Sequence, residues 1–105
     1  MPKKAMESLT ETMFYVLMAL RLRPMCGIEA ADWIEQHTKG RMQLGPATLY
    51  TILSRFEKDH YIREIQVEGR KRTYEITEKG LSAYQEEVRR LRICLQDAEQ
   101  EDTSL

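Results

Sequence analysis

The sequence predicts a mainly helical protein that also contains one small β-hairpin. Apolar residues recur at spacings of three and four over several segments, and two short runs rich in Ile, Val, Thr and Tyr meet at a glycine. The chain of 105 residues, 42% hydrophobic and 31% charged, has the size of one compact domain. Because a domain this small buries only about 60–70% of its unfolded surface, a partner subunit could supply part of its stability.

The first predicted helix covers residues 8–22 and begins with a capping-box pattern, Ser8 followed by Glu11. Its body is apolar on nearly every side, and such a helix needs cover on several faces. A domain of this size covers one side of the helix itself. We therefore expect the other side to meet a second subunit.

The second and third predicted helices are short and separated by a break. The second follows Pro24, runs from about residue 26 to residue 38 and stops at Gly40. Its apolar stripe is narrow and consists of Ile28, Ala31 and Ile34. The third starts at Gly45-Pro46, since proline is tolerated at a first helical position. Its single apolar face consists of Leu49, Ile52, Leu53 and Phe56.

Two β-type runs follow, at residues 61–67 and 70–76, and they join at Glu68-Gly69. Glycine supplies the positive φ that a tight hairpin needs. The sequence leaves the pairing register open. The candidates for inward-facing positions are Ile62, Ile65, Tyr74 and Ile76. Since an isolated hairpin is marginally stable in water, we expect it to pack against the helices.

The last predicted helix begins with Thr77 as N-cap, and its apolar residues alternate between steps of three and four. This heptad seam packs either within its own subunit or against another, and we favour a second subunit, with the first helix in the gap. The expected dimer-interface residues are Leu9, Met13, Leu17, Leu81, Tyr84, Val88, Leu91 and Leu95. The acidic tail, residues 99–105, is expected to fray.

The order helix, helix, helix, hairpin, helix is that of a winged helix-turn-helix. Residues 1–77 would form this domain and residues 78–98 a dimerisation helix. In this architecture the third helix enters the major groove of DNA. Although the whole chain has a net charge of −1, residues 41–74 carry seven basic and four acidic groups, whereas residues 75–105 carry four and eight. A polyanion should therefore meet the middle of the chain.

The candidate DNA-binding residues combine short hydroxyls, which approach phosphates or base edges closely, with cations. They are Pro46, Ala47, Thr48, Tyr50, Thr51, Ser54, Arg55 and Lys58 of the third helix, and Arg70, Lys71 and Arg72 at the hairpin tip. The three tip cations follow Gly69 and suit a phosphate or minor-groove contact. The first turn of the third helix also offers unpaired backbone N–H groups to a phosphate.

With these segments the sequence resembles the PadR-type winged helix-turn-helix transcriptional regulators with a short C-terminal helix. The resemblance lies in residues 9–20, 24–29, 46–62 and 70–80, above all in the Thr-Leu-Tyr triplet at 48–50. It implies a homodimer, built from the first and last helices, that binds a pseudo-palindromic operator on double-stranded DNA. It also implies a regulator, which we expect to be a repressor, whose DNA affinity changes when a small, often aromatic effector binds near the dimer interface.

Three residues are candidates for the effector pocket: Met13, Trp33 and Cys94. Each also has a purely structural interpretation. Trp33 can lie at the edge of the core, Met13 can fill space in it, and Cys94 can be an unreactive thiol.

The sequence contains no nucleophile–base pair and no metal-ligand spacing, so we expect no enzyme activity, metal or cofactor. It also contains no apolar run of 18 residues and no signal-peptide pattern, from which we expect a cytoplasmic protein without a membrane partner. The alternative function is a winged-helix protein-interaction module that does not bind DNA. The near-neutral net charge and the acidic C-terminal segment support this alternative.

Overall fold

The computed structural model describes residues 9–104 and the side chains of residues 9–100. Within that range the fold is mainly helical with one small antiparallel sheet, which confirms the predicted fold class. The elements in chain order are α1 (Glu11–Leu20), β1 (Met25–Cys26), α2 (Gly27–His37), α3 (Pro46–Lys58), β2 (Ile62–Glu68), β3 (Lys71–Ile76) and α4 (Glu78–Ser104).

Helix α1 begins later than the sequence predicted. Thr10 is its N-cap, and the Thr10 hydroxyl accepts a hydrogen bond from the Met13 backbone N–H at 3.1 Å. Ser8 of the predicted capping box lies outside the described residues. One face of α1 enters the core and is fully buried at Val16 and Leu17. Because Leu17 has no exposed surface, its predicted place in a dimer interface is wrong: it packs inside its own chain.

Helices α2 and α3 begin and end close to the predicted positions. Helix α2 ends one residue before the predicted stop at Gly40: Lys39, with a φ of 55°, is the left-handed residue after the C-cap, and its N–H donates to the Gln36 carbonyl at 3.1 Å. Gly40 follows with a φ of 81°, and its N–H donates to the Glu35 carbonyl at 2.8 Å. Pro46 is the first residue of α3. The predicted stripe of α2 is wrong at its start, because Ile28 is 72% exposed while the neighbouring face, through Ala30 and Ile34, is buried.

The sheet has three strands in the order β1-β3-β2. The short strand β1, which the sequence did not predict, pairs antiparallel with β3 through Met25↔Tyr74 and Cys26↔Thr73. In the hairpin of β2 and β3, Gly69 has a φ of 60° at the turn. The inward positions of the hairpin are confirmed at Ile62 and Tyr74, which are buried.

The prediction that Ile65 faces inward is wrong. Its side chain is 45% exposed. The register shifts between Glu64, which pairs with Tyr74, and Gln66, which pairs with Thr73, so that Ile65 is the unpaired extra residue of a β-bulge.

Helix α4 has the predicted cap: the Gly80 N–H donates to the Thr77 hydroxyl at 3.1 Å. Its N-terminal half packs on α1, where Tyr84 stacks on Phe14 with ring centroids 5.2 Å apart. The helix continues to Ser104, through residues for which the sequence predicted a frayed tail. None of the helices, within the described part of the chain, has the length and apolar character needed to cross a membrane.

Candidate nucleic-acid interface

The outer face of α3 is formed by polar side chains that are all exposed: Thr48, Thr51, Ser54, Arg55 and Lys58. The opposite face anchors the helix, since Leu49, Ile52, Leu53 and Phe56 are buried in the core. The 3.6-residue period separates these two faces, so the core fixes the helix while the hydroxyls and cations stay accessible.

Two contacts orient side chains on this outer face. The Thr51 hydroxyl donates to the Ala47 carbonyl at 2.9 Å, which leaves the lone pairs of its oxygen available to an outside donor. The Arg55 Nε lies 3.4 Å from Asp59 Oδ2, an ion pair that directs the guanidinium along the helix. Exposed pairs of this kind contribute about 0–1 kcal/mol, so Arg55 can exchange its partner at low cost.

The first turn of α3 is exposed at Pro46, Ala47 and Thr48. Its N-cap, Gly45, provides no side-chain hydrogen bond, and no acidic residue lies in this turn. The backbone N–H groups of Ala47 and Thr48 precede the first intrahelical donor, Leu49, which bonds to the Gly45 carbonyl at 3.0 Å. This end of the helix therefore presents positive dipole charge that neither its N-cap nor its first turn neutralises.

Arg41 joins the loop before α3 to helix α1. Its Nη1 lies 3.0 Å from Glu11 Oε2, and its Nη2 donates to the Tyr15 hydroxyl at 2.8 Å. Hydrogen bonding to Glu11 raises the pKa of the Arg41 guanidinium. Sequence reasoning missed this contact, because its members are about thirty residues apart and no local pattern links them.

The wing, defined here as β2, β3 and the turn between them (residues 62–76), carries the three tip cations on exposed surface: Arg70, Lys71 and Arg72. Arg72 is partly engaged, because its Nη1 lies 3.2 Å from Glu64 Oε1 on the neighbouring strand. The tip is thus a positive projection held by the hairpin beside α3.

A groove of about 500 Å³ joins the wing to two helices. It is lined by residues 26–28 at the start of α2, by Tyr50 of α3, and by residues 70–72 and Tyr74 of the wing. Burial raises the pKa of the Tyr74 hydroxyl, with Glu57 adding to the effect, so this side chain is neutral. The structure therefore brings Tyr50 and the tip cations, predicted separately, to one surface.

The start of α2 is the part of this surface that sequence reasoning missed. The apolar stripe assigned Ile28 to the core, whereas the structure exposes it beside Tyr50 and the wing. The start of α2 lies near the wing because β1 pairs with β3, which brings Cys26 next to Thr73. The only local signal is Pro24, which lies between α1 and α2 and favours an extended backbone at the residue before it.

The three candidate effector-pocket residues lie in different settings. Met13 and Trp33 are partly buried and pack against the core, and Trp33 stacks on His37 with ring centroids 4.3 Å apart. Cys94 is exposed on α4, where the Arg90 Nη1 lies 3.8 Å from its sulfur. None of the three lines the groove described above.

The predicted dimer-interface residues differ in their exposure within the single chain. Leu9, Met13, Leu81, Tyr84 and Val88 are half-buried within the single chain. Beyond them α4 exposes apolar side chains: Leu91 and Leu95 are exposed, the latter by 58%. An apolar seam on a projecting helix is typical of a surface that another helix covers.

Comparison with solved structures gives the same fold at low sequence identity. A transcriptional regulator from Clostridium thermocellum is 24% identical, with a TM-score of 0.75 over 84% of this chain and 89% of that one. A PadR family transcription regulator from Clostridium difficile is 17% identical, with a TM-score of 0.74 over 87% and 97%. RosR from H. salinarum is 15% identical, with a TM-score of 0.70 over 91% and 94%.

A sequence comparison with curated proteins gives no significant match. The model of the transcriptional regulator PadR-like family, however, matches residues 16–86, which include α2, α3, the wing and the start of α4. This chain therefore belongs to the PadR-like family of transcriptional regulators.

Proposed function

We propose that the protein is a sequence-specific DNA-binding regulator that inserts α3 into the major groove and contacts the flanking backbone or minor groove with the wing. The observation that carries this proposal is the exposed outer face of α3 beside the cationic wing tip. A major groove about 12 Å wide admits one helix, and the hydroxyls of Thr48, Thr51 and Ser54 are short enough to reach base edges there. The first-turn N–H groups of α3 add a phosphate contact.

We further propose a homodimer that joins the exposed seam of α4 to α1. Support comes from Leu91 and Leu95, which are apolar and exposed on a helix extending beyond the rest of the chain. Two subunits would place two copies of α3 at half-sites about one helical turn apart, matching a pseudo-palindromic operator. Repression at a promoter, relief by a small effector, and a cytoplasmic location are parts of the same proposal.

The salt dependence of DNA affinity tests the role of the wing. Affinity for the duplex upstream of the protein's own coding region is measured by fluorescence anisotropy from low to high salt, with a scrambled duplex as competitor. Each phosphate contact contributes about 0.9 to the slope of log affinity against log salt. Since Arg72 already pairs with Glu64, R70A/K71A/R72A should reduce the slope by about 2 to 3 per subunit.

The matched control is R21A/R89A/R92A, which removes the same charge from exposed positions at the end of α1 and on α4, outside the wing. Its slope should stay close to that of the original protein. If the two variants change the slope equally, the effect is one of net charge and the wing has no direct contact. Saturable binding that the scrambled duplex cannot displace supports sequence-specific recognition.

The alternative is a winged-helix module that binds another protein and not DNA. Its supporting observation is the near-neutral chain with an acidic C-terminal segment. The same experiment separates the two functions, because an interaction module would bind neither duplex in a saturable way. The conservative double substitution T48S/R55K adds a second test. Only a protein that contacts DNA bases through these residues should lose its preference for the upstream duplex over the scrambled duplex.

A further inference from the structure

The groove between α2, α3 and the wing is shaped like a small-molecule site. Its volume of about 500 Å³ lies within the range of ligand pockets, about 300–1,000 Å³. Cys26 and Tyr74 are buried, whereas Ile28 and Tyr50 are 72% and 58% exposed. The groove therefore has a floor of buried side chains and a rim of apolar side chains that still face solvent. An apolar ligand would remove this rim surface from water, which is favourable.

The charged side chains that line the groove are all positive. Within the described part of the chain, its lining includes three cations and no carboxylate. Arg72 forms an ion pair with Glu64, which leaves Arg70 and Lys71 as the main positive groups. The Cys26 N–H, which donates to the nearby Glu29 carboxylate at 2.9 Å, and to a lesser degree Lys71 lower the pKa of Glu29, so this ionised carboxylate offsets part of the positive charge of Lys71. An anionic group at this side would gain two charge-assisted contacts.

We propose that this groove binds an amphipathic organic anion, whose apolar body lies between Ile28 and Tyr50 and whose anionic group meets Arg70 and Lys71. This ligand is distinct from the effector expected near the dimer interface. Because Tyr50 and the tip cations also belong to the proposed DNA surface, such a ligand would compete with DNA. This last step rests on the proposed function, whereas the binding site itself does not.

Two dyes of matched shape test the chemical class. Anilinonaphthalene sulfonate is an amphipathic anion that fluoresces when it leaves water, and N-phenyl-naphthylamine is its counterpart without the sulfonate. The intact protein should bind the sulfonate at least tenfold more tightly than the neutral dye. R70A/K71A should abolish that preference, and equal affinities in the unmodified protein would overturn the proposal.

A substitution at the rim tests the location. Ile28→Asp places a carboxylate in the groove, and it should fold normally, since the side chain is exposed and an acidic residue suits the first turn of a helix. We expect a loss of sulfonate affinity of at least tenfold. The control is Ile93→Asp, a 53% exposed aliphatic position on α4 outside the groove, which should change the affinity less than twofold. Equal effects of the two substitutions would refute the site.

Displacement by duplex DNA tests the competition. Saturating upstream duplex should release the sulfonate dye from the original protein, because both ligands need the wing tip. If the dye binds in an Ile28-dependent way but the protein binds no duplex, the groove site stands and the proposed DNA function fails. If duplex and dye bind together without interference, competition is refuted.

Discussion

Gly80, the third residue of α4, is the position where the structure leaves least room for a side chain. A Cβ built on Gly80 would lie 2.1 Å from the Tyr61 carbonyl oxygen and 2.9 Å from Ile76 Cγ1. Carbon atoms do not approach a backbone oxygen this closely, so Gly80→Ala must move α4 away from the turn that follows α3. The substitution therefore tests how tightly the last helix is seated on the winged domain.

The displaced carbonyl belongs to a junction of three hydrogen bonds. The Tyr61 carbonyl accepts the Thr77 N–H at 2.9 Å, and the Thr77 hydroxyl donates to the His60 carbonyl at 2.6 Å and accepts from Gly80 at 3.1 Å. Overpacking costs about 1–3 kcal/mol and a weakened hydrogen bond about 1 kcal/mol. Alanine has a higher helix propensity than glycine by about 1 kcal/mol, and this difference offsets part of the loss. We expect G80A to lower the free energy of unfolding by about 2 kcal/mol, which is a fall in Tm of about 10 °C.

Urea and thermal unfolding followed by circular dichroism measure this loss, at one fixed protein concentration because a dimer unfolds in a concentration-dependent way. The control is Ser82→Ala, an exposed substitution on the same helix, which should be neutral or raise stability by about 0.5 kcal/mol. If G80A is as stable as S82A, the close contact with Tyr61 does not exist in solution and the seating of α4 is wrong.

Two further predictions concern helix starts. Thr77→Ala removes the cap of α4 and should cost about 1 kcal/mol in urea unfolding, whereas Thr77→Ser should retain most of it; equal losses in both would contradict the capping role. The Cys26 N–H lowers the pKa of the Glu29 carboxylate, so the stability this contact gives is present above the unfolded pKa and lost as pH falls through the folded pKa. The difference in unfolding free energy between the original protein and Glu29→Gln should therefore shrink from about pH 6 to about pH 3, and a pH-independent difference would exclude this linkage.

Local signals were sufficient to place most helix ends. Pro46 begins α3 and Thr77 caps α4, and Gly40 lies one residue beyond Lys39, the left-handed residue that ends α2, because each of these effects acts within one helical turn. The outer face of α3 was also predictable, since an apolar face repeated every three or four residues defines its polar opposite. These features determined the fold class and the candidate DNA-contacting helix.

Features that depend on distant partners were not predictable. Strand β1 has two residues and exists because it pairs with β3, nearly fifty residues later. The sequence pattern predicted that Ile65 faces the core, but the bulge in its strand exposes the side chain. Leu17 is as apolar as the residues of the proposed dimer seam, and only the packing of α1 assigns it to the interior.

The sequence by itself determined which segments become helices and which side of α3 stays polar, because hydrogen bonding and periodicity act over a few residues. Only the tertiary structure decided that Ile28, Tyr50 and the tip cations share one groove, since three separate elements must meet to form it. The physical reason is that pairing and packing energies depend on contacts between residues far apart in the chain, and these contacts leave no pattern in any single segment.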